Sequence, residues 1–206
     1  MTVDIRAVSC GMIQENAYIV RAEGRGDCVV VDPGDDYPKL KRALGDLRVA
    51  AILLTHGHFD HILAVGAMAA ETGAPVYVHP DDAQMLNDAG KNGYLDLMDG
   101  AAMPGPAVDA LALGERLNAA GMDFEVLHTP GHSRGSVCLY LPGEGALFSG
   151  DTLFCGGFGR TDLYGGSQRQ LVDSLRRLFA LPAETRVYPG HGGATTIGAE
   201  KARYRL

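Results

Sequence analysis

Basic charge, clustered thiols and long apolar runs are all scarce in this 206-residue chain. Lys and Arg number 18 against 25 Asp and Glu, a formal net charge of −7, and no Lys/Arg run exceeds a pair. Proteins that grip nucleic acids usually carry a basic excess or stripe to neutralise phosphates, so no nucleic-acid partner is expected. Cys10, Cys28, Cys138 and Cys155 lie far apart without a C-x-x-C pair, which argues against both a thiolate zinc site and a disulfide framework. Residues 1–20 lack the charged start and apolar core of an export signal. No apolar run approaches the roughly 18–20 residues that cross a bilayer. The expectation is a cytoplasmic protein with no membrane partner. At 46% hydrophobic and 21% charged residues, one domain over 1–206 has material for a real core.

What the chain does have is Thr55-His56-Gly57-His58-Phe59-Asp60-His61, four nitrogen and oxygen metal-ligand candidates within six residues. They follow the apolar run 49–54, which reads as a buried strand, and precede a helix over 62–72 stopped by Gly73. Residues two apart in an extended segment point the same way, so His56 and His58 can reach one ion. Asp60 and His61, where the chain turns into the helix, face a slightly different point. Two ions close together would satisfy both pairs. A helix cap, the ordinary use of a polar residue here, needs one carboxylate and no histidine.

Around this motif the pattern predicts strands at 4–8, 17–21 and 28–31 opening the fold as an antiparallel meander, then a helix over 37–47. A short strand at 75–78 precedes a helix from His79 to about 87. The segment 88–107 reads as a long loop that could rim a site. Strands return at 124–127, 137–141 and 146–148, and a glycine-rich stretch leads to a helix over 167–181 with Leu171, Leu175 and Leu178 on one face.

H-x-H-x-D-H after an apolar strand resembles the signature of the metallo-β-lactamase superfamily, and three further motifs follow in its order: Gly131-His132, Gly150-Asp151 and Pro189-Gly190-His191. The resemblance covers nearly the whole chain. It implies an α/β fold, the αββα four-layer sandwich, with a metal site at one edge of the sheets. It also implies that His56, His58 and His132 hold one ion, that Asp60, His61 and His191 hold the second, and that Asp151 bridges them. Asp60 and Asp151 would be the catalytic carboxylates. The implied cofactors are two divalent metal ions, zinc foremost, with iron or manganese also suited to nitrogen and oxygen ligands. An aspartate at the position of Asp32 often lies just behind the ligands in this superfamily; otherwise Asp32 only starts the Pro33-Gly34 turn. His79 and His128 fall on no ligand position, and His128 could brace one from behind.

Within the superfamily the chain is most similar to the glyoxalase II group, the hydroxyacylglutathione hydrolases, through Thr55–His61, the stretch 148–154 and Tyr188-Pro189-Gly190-His191-Gly192. The resemblance implies hydrolysis of S-acyl thioesters by a metal-bridging hydroxide, because a bound metal lowers the pKa of water from about 15.7 toward about 7. A thiolate leaves without a proton, which suits a site with no obvious general acid. The small-molecule partner is thus a thioester. Fifteen residues follow His191, where full-length glyoxalase II enzymes carry a helical extension. Gly159-Arg160-Thr161-Asp162 stands where they have a lysine and aromatics, so the glutathione portion is expected to contribute little. Arg160 could meet a substrate carboxylate or pair with Asp162. The alternative activity is a persulfide dioxygenase, which shares the G-R-T-D loop and would use His56, His132 and Asp151 around a single iron. A β-lactamase and a non-catalytic metal-binding module are disfavoured.

Overall fold

The computed structural model describes residues 2–98, 103, 105 and 107–204. Six strands in chain order make the first sheet: β1 (Val3–Cys10), β2 (Glu15–Ala22), β3 (Asp27–Val31), β4 (Arg48–Leu53), β5 (Val76–Val78) and β6 (Ala110–Ala112). The first three form the expected antiparallel meander; from β3 onward neighbours are parallel, joined by helices α1 (Tyr37–Leu44) and α2 (Val65–Thr72) and by a long connection containing α3 (Tyr94–Leu97). The second sheet contains β7 (Arg116–Ala119), β8 (Met122–His128), β9 (Val137–Leu141), β10 (Ala146–Gly150), β11 (Arg186–Pro189) and β12 (Thr195–Thr196), again in sequence order. Helix α4 (Gln168–Leu178) carries the chain between the parallel pair β10 and β11, and α5 (Ile197–Arg203) follows β12.

Successive strand residues face opposite sides of a sheet, and here both sides are covered. Val29, Val31 and Leu53 meet Phe124, Leu139 and Phe148 between the two sheets. Val30 and Ile52 turn outward onto Leu40 of α1 and Val65 and Met68 of α2. Cys138, Tyr140 and Leu147 pack on Leu171, Leu175 and Leu178 of α4. Three apolar layers therefore separate four layers of structure, the expected αββα sandwich.

Departures from the sequence pattern have local causes. The helix expected over 37–47 stops at Leu44, because Gly45 takes φ 58° and its N–H returns to the Lys41 carbonyl at 3.2 Å. The helix expected over 62–72 is divided. A 3-10 turn spans Phe59–His61 and α2 begins only at Val65, since the Ala64 N–H donates to the Pro33 and Gly34 carbonyls at 3.1 and 3.2 Å instead of to the residue four before it. Pro80–Asn87 is likewise a 3-10 helix. Strands β6 and β7 were not expected; both are short and partly or fully exposed, so neither carries a clear alternation. In the 88–107 loop, residues 99–102, 104 and 106 lie outside the described residues. No described helix is long and apolar enough to cross a membrane.

Phe124 is 1% exposed between the sheets, whereas Leu111 on β6 is 53% exposed. Phe124→Ala is expected to lower unfolding free energy by about 3–5 kcal/mol and Leu111→Ala by no more than about 0.5 kcal/mol. The denaturant midpoints of the two variants measure this directly.

Candidate metal centre

The seven residues of interest all lie just past strand ends at one edge of the sandwich. The first sheet sends out His56, His58, Asp60 and His61 after β4. The second supplies His132 after β8, Asp151 after β10 and His191 after β11. Loops at strand carboxyl ends are where open sheets of this kind place ligand sites. The 3-10 turn at Phe59–His61 presents Asp60 and His61 together, and the extended backbone of His58 (φ −71°, ψ 148°) precedes it.

The seven fall into two groups with donor atoms in mutual reach. His56, His58 and His132 form one, all buried; Asp60, His61 and His191 form the other. His58 Nδ1 and His132 Nε2 approach to 2.7 Å. His191 Nε2 lies 3.1 Å from Asp60 Oδ2, and His61 Nε2 lies 3.5 Å from the same oxygen. Asp151 stands between the groups, with Oδ1 3.3 Å from His61 Nε2 and Oδ2 3.6 and 3.7 Å from the Nε2 atoms of His132 and His191. Gly190 permits this crowding: a Cβ there would meet Asp151 Oδ1 at 2.3 Å and His61 Cε1 at 2.6 Å.

Behind the donors, a hydrogen-bond network fixes the rings. Asp32 Oδ1 accepts from the Thr55 backbone N–H at 2.7 Å, and Oδ2 accepts from the Thr55 hydroxyl at 2.6 Å and from His61 Nδ1 at 3.0 Å. With its proton committed to Asp32, the Thr55 oxygen accepts from His56 Nδ1 at 3.0 Å. His132 Nδ1 donates to the Arg160 carbonyl at 2.8 Å. These partners assign the Nδ1–H tautomer to three histidines and leave Nε2 as the lone-pair donor, as metal-ligating imidazoles require. The Nε2 atoms of His56, His58 and His61 and Asp151 Oδ1 are buried without any hydrogen-bond partner. Each such atom costs about 1–3 kcal/mol when left unpaired; divalent cations would relieve that cost at His56 Nε2, His61 Nε2 and Asp151 Oδ1, while His58 faces its group with Nδ1. The donor set fits two ions.

Charge sharpens the picture. Burial, together with the neighbouring imidazoles, drives His56 well below the ordinary histidine range and His58 to about 3. Burial opposes charge on His61 as well, but the carboxylates of Asp60, Asp151 and Asp32 outweigh it and push His61 well up. His191 rises in the same way through its bond to Asp60 and the charge of Asp151. Burial would raise Asp151 and Asp60, yet the imidazoles around them, His61 foremost, hold both below the ordinary carboxylate range.

Several supporting residues were invisible in the sequence. Asp82, fully buried, accepts from the Gly57 N–H at 3.1 Å, the Ser133 hydroxyl at 2.6 Å and the Gly135 N–H at 2.7 Å, so one carboxylate ties the His56–His58 loop to the His132 loop. Nothing in sequence separates it from its exposed neighbour Asp81. Glu15 is wholly buried, has no hydrogen bond on either oxygen, lies 3.7 Å from His61 Nδ1 and is held well above the usual carboxylate range, chiefly by burial. Asn16 and Tyr18 of β2 clasp the His191 turn: Asn16 Nδ2 donates to the Pro189 and Gly192 carbonyls, and the Tyr18 hydroxyl donates to that of Pro189. The signal for these was a polar Glu15-Asn16 pair at the head of an apolar strand.

Other sequence candidates resolve differently. Arg160 forks onto Asp162 with both contacts at 2.7 Å, and its backbone carbonyl is what serves the centre. His79 and His128 stand outside the seven, their rings stacked 4.2 Å apart and 9° from parallel. His128 Nε2 donates to the Arg134 carbonyl at 2.9 Å, which braces the His132 loop. Gly131-His132-Ser133-Arg134-Gly135 was not a sequence candidate, G-x-S-x-G being expected absent, yet it has the spacing of a serine-nucleophile elbow. Its Ser133 hydroxyl, however, is buried and bonded to Asp82 and Ser136.

A pocket of about 340 Å³ opens over the centre. His58, Asp60, His132, Asp151 and His191 form its floor, and Phe59, Ile13, Leu97, Leu163, Asn92, Asp96 and Arg160 contribute to its walls.

Compared with known proteins, residues 10–191 match the family model described as metallo-beta-lactamase superfamily. The probable metallo-hydrolase YqgX of Bacillus subtilis (strain 168) is 39% identical, over 95% of this chain and 93% of that protein. A hydroxyacylglutathione hydrolase of Aeromonas hydrophila is 41% identical over 84% of this chain, a match that spans only 59% of the longer protein. Among solved structures, the BLEG-1 B3 metallo-beta-lactamase superposes with a TM-score of 0.90 at 41% identity, covering 97% of both chains. TTHA1623 in a di-iron-bound form gives 0.85 at 42%, covering 96% of this chain and 97% of that one. ETHE1 from Myxococcus xanthus gives 0.74 at 31%, covering 96% and 81%.

Two outcomes are expected of this geometry. Asp82→Ala strands three buried donors without altering a ligand, and should weaken metal affinity by about 10–100-fold, whereas the exposed neighbour in Asp81→Ala should not; competition against a chelator measures both. Burial opposes charge on His61, but the carboxylates of Asp60 and Asp151 outweigh it and raise the residue, so the protonated form is favoured in the metal-free protein. That proton stabilises the metal-free fold below the ordinary value, and the contribution is lost as pH rises through the raised one. An incoming cation must expel it. Zinc added to stripped protein should therefore release about one proton from this residue, and affinity should fall as pH falls. Indicator-dye titration in weak buffer reads the release, and its absence would contradict the assignment.

Proposed function

Because this chain belongs to the metallo-beta-lactamase superfamily, we propose that it is a dinuclear metal-dependent hydrolase that cleaves S-acyl thioesters in the manner of glyoxalase II. The observation that carries the reading is Asp151, whose two oxygens face the two donor groups at 3.3 and 3.6 Å. In this reading His56, His58 and His132 hold one ion, Asp60, His61 and His191 the other, and Asp151 both. The di-iron form of TTHA1623 supports two sites in this fold. The ligands present suit zinc, iron or manganese.

Two ions bound there would supply hydroxide from water at neutral pH and positive charge for a developing oxyanion. The chain's own residues do the rest. Asp32 and Thr55 keep the imidazoles turned inward, Asp60 and Asp151 offer carboxylate oxygens to a proton at the reacting centre, and Phe59 and Leu97 give the pocket apolar walls. Among the described residues lining it there is no lysine, tyrosine, cysteine or non-ligand histidine to protonate a leaving group. A thiolate needs none. The similarity to a hydroxyacylglutathione hydrolase supports the same class of bond. A second reading, persulfide oxidation at one iron, is favoured by the Gly159-Arg160-Thr161-Asp162 loop.

Elemental analysis should find about two metal ions per chain, and His56→Ala and Asp151→Ala should each lose metal and cut thioester hydrolysis by at least about 100-fold. A stoichiometry that stays near one when metal is supplied, with oxygen uptake on glutathione persulfide, would replace the hydrolase with the dioxygenase. The BLEG-1 likeness makes nitrocefin the third substrate: turnover exceeding that of S-lactoylglutathione would move the activity to β-lactams.

A further inference from the structure

The pocket over the metal centre does not end at its own walls. A smaller hollow of about 110 Å³ adjoins it and shares Ile13, Phe59 and Asp60 with it. Beyond those three the hollow is faced largely by Cys10, Met12, Leu63 and Met98, with Asp35 as its other charged residue. Apolar side chains also stand out into solvent at this mouth. Met12 is 72% exposed, Ile13 41% and Leu97 50%. Large apolar groups gathered beside a polar centre mark a surface that something apolar covers.

Charge near the mouth points the same way. Among the described residues, Arg160 is the one lysine or arginine lining either pocket, and Asp162 holds it bidentately. Lys91, beside the lining residue Asn92, pairs with Asp88 at 3.0 Å, and Lys39 donates to the Ser9 carbonyl at 2.6 Å. Asp96 lines the larger pocket, within the field of Arg160, and Asp35 lines the smaller one. A thiol carrier with carboxylates or phosphates finds no free cation among the described residues lining this space. An aliphatic chain finds Ile13 and Phe59, common to both hollows, next to Asp60, where the reacting carbonyl would lie.

Building on the thioesterase reading, we propose that the trough from Asp60 past Phe59 and Ile13 into the Cys10, Met12, Leu63 and Met98 hollow seats an aliphatic acyl chain, so that the substrates are apolar acyl thioesters selected by the acyl group and not by an anionic carrier. Burying a methylene contributes about 0.8 kcal/mol, a factor of about three to four in affinity. The polar side of the mouth, with Asp96 and Arg160, is left to the carrier.

The test uses the metal-loaded protein and two series of probes. N-acetyl-S-alkylcysteamine thioethers from ethyl to octyl cannot be hydrolysed, so calorimetric titration reads the trough whatever the catalytic activity. Affinity should rise about threefold per methylene up to at least hexyl. Ile13→Asp should flatten the series to less than about twofold overall while metal content and melting temperature stay at the parent values; Met12→Asp, at the most exposed of these positions, serves as the second variant. In parallel, kcat/KM for acetyl to octanoyl N-acetylcysteamine thioesters should climb in the same order. Thioether affinity that is flat from ethyl to octyl in the parent protein overturns the proposal, as does an S-lactoylglutathione kcat/KM about a hundredfold above the best aliphatic thioester. A rising thioether series with no thioester hydrolysed would sink the thioesterase reading and leave the apolar seat standing.

Discussion

The buried carboxylate of Asp32 is the constraint from which the rest of the centre follows. It accepts three hydrogen bonds, two from Thr55 and one from His61, and through the Thr55 hydroxyl it also fixes His56. One side chain at the end of β3 thereby orients two imidazoles delivered by the end of β4. The parallel pairing of these strands, Val31 opposite Leu53, sets the distance the carboxylate must span. Without that pairing, the same residues would be polar groups in a loop. With it, they become donors whose unpaired atoms point at a common space.

The two halves of the centre are charged unlike each other: burial disfavours charge on the imidazoles of both, and only in one do neighbouring carboxylates outweigh it. His56 and His58 sit among imidazoles with little compensating charge, so they stay neutral. His61 and His191 lie against carboxylates, which favour their protonated forms. A metal-free centre thus settles its charge with protons at one group and with neutral rings at the other. Cations would make that arrangement uniform, since every ligand then needs to be deprotonated. The same mismatch explains why so many polar atoms here lack partners inside the protein.

How much of this was legible depended on whether a residue's role was local. The His56–His61 cluster announces itself because four donor residues share six positions, and the sandwich was implied by the resemblance to the superfamily, with strands such as β9 and β10 buried on both faces in the structure. Asp32 could be singled out only as one of two alternatives, and the geometry now places it behind the ligands. Asp82 could not be found at all. Its three partners come from segments 25 to 53 residues away, and its neighbour Asp81 has the same chemistry without the contacts. For Arg160 the pairing with Asp162, one of the two alternatives, is what the structure shows, while the role of its backbone carbonyl in holding His132 was not legible. The boundary of α2 was missed because it is set by the Pro33 and Gly34 carbonyls, a contact no periodicity encodes.

Asp32 has one further property. Its backbone lies in the left-handed region, at φ 47°, which only glycine adopts freely and which aspartate and asparagine tolerate better than other side chains. Stereochemistry therefore confines this position to a very small alphabet. Within it, glycine removes the acceptor from three donors, and asparagine turns one acceptor oxygen into an amide that faces other N–H or O–H groups. Neither neighbour in that alphabet is interchangeable with aspartate. A lineage carrying this fold can wander widely in its loops, and so in what it acts upon, but at this position stereochemistry and hydrogen bonding together leave drift almost nowhere to go.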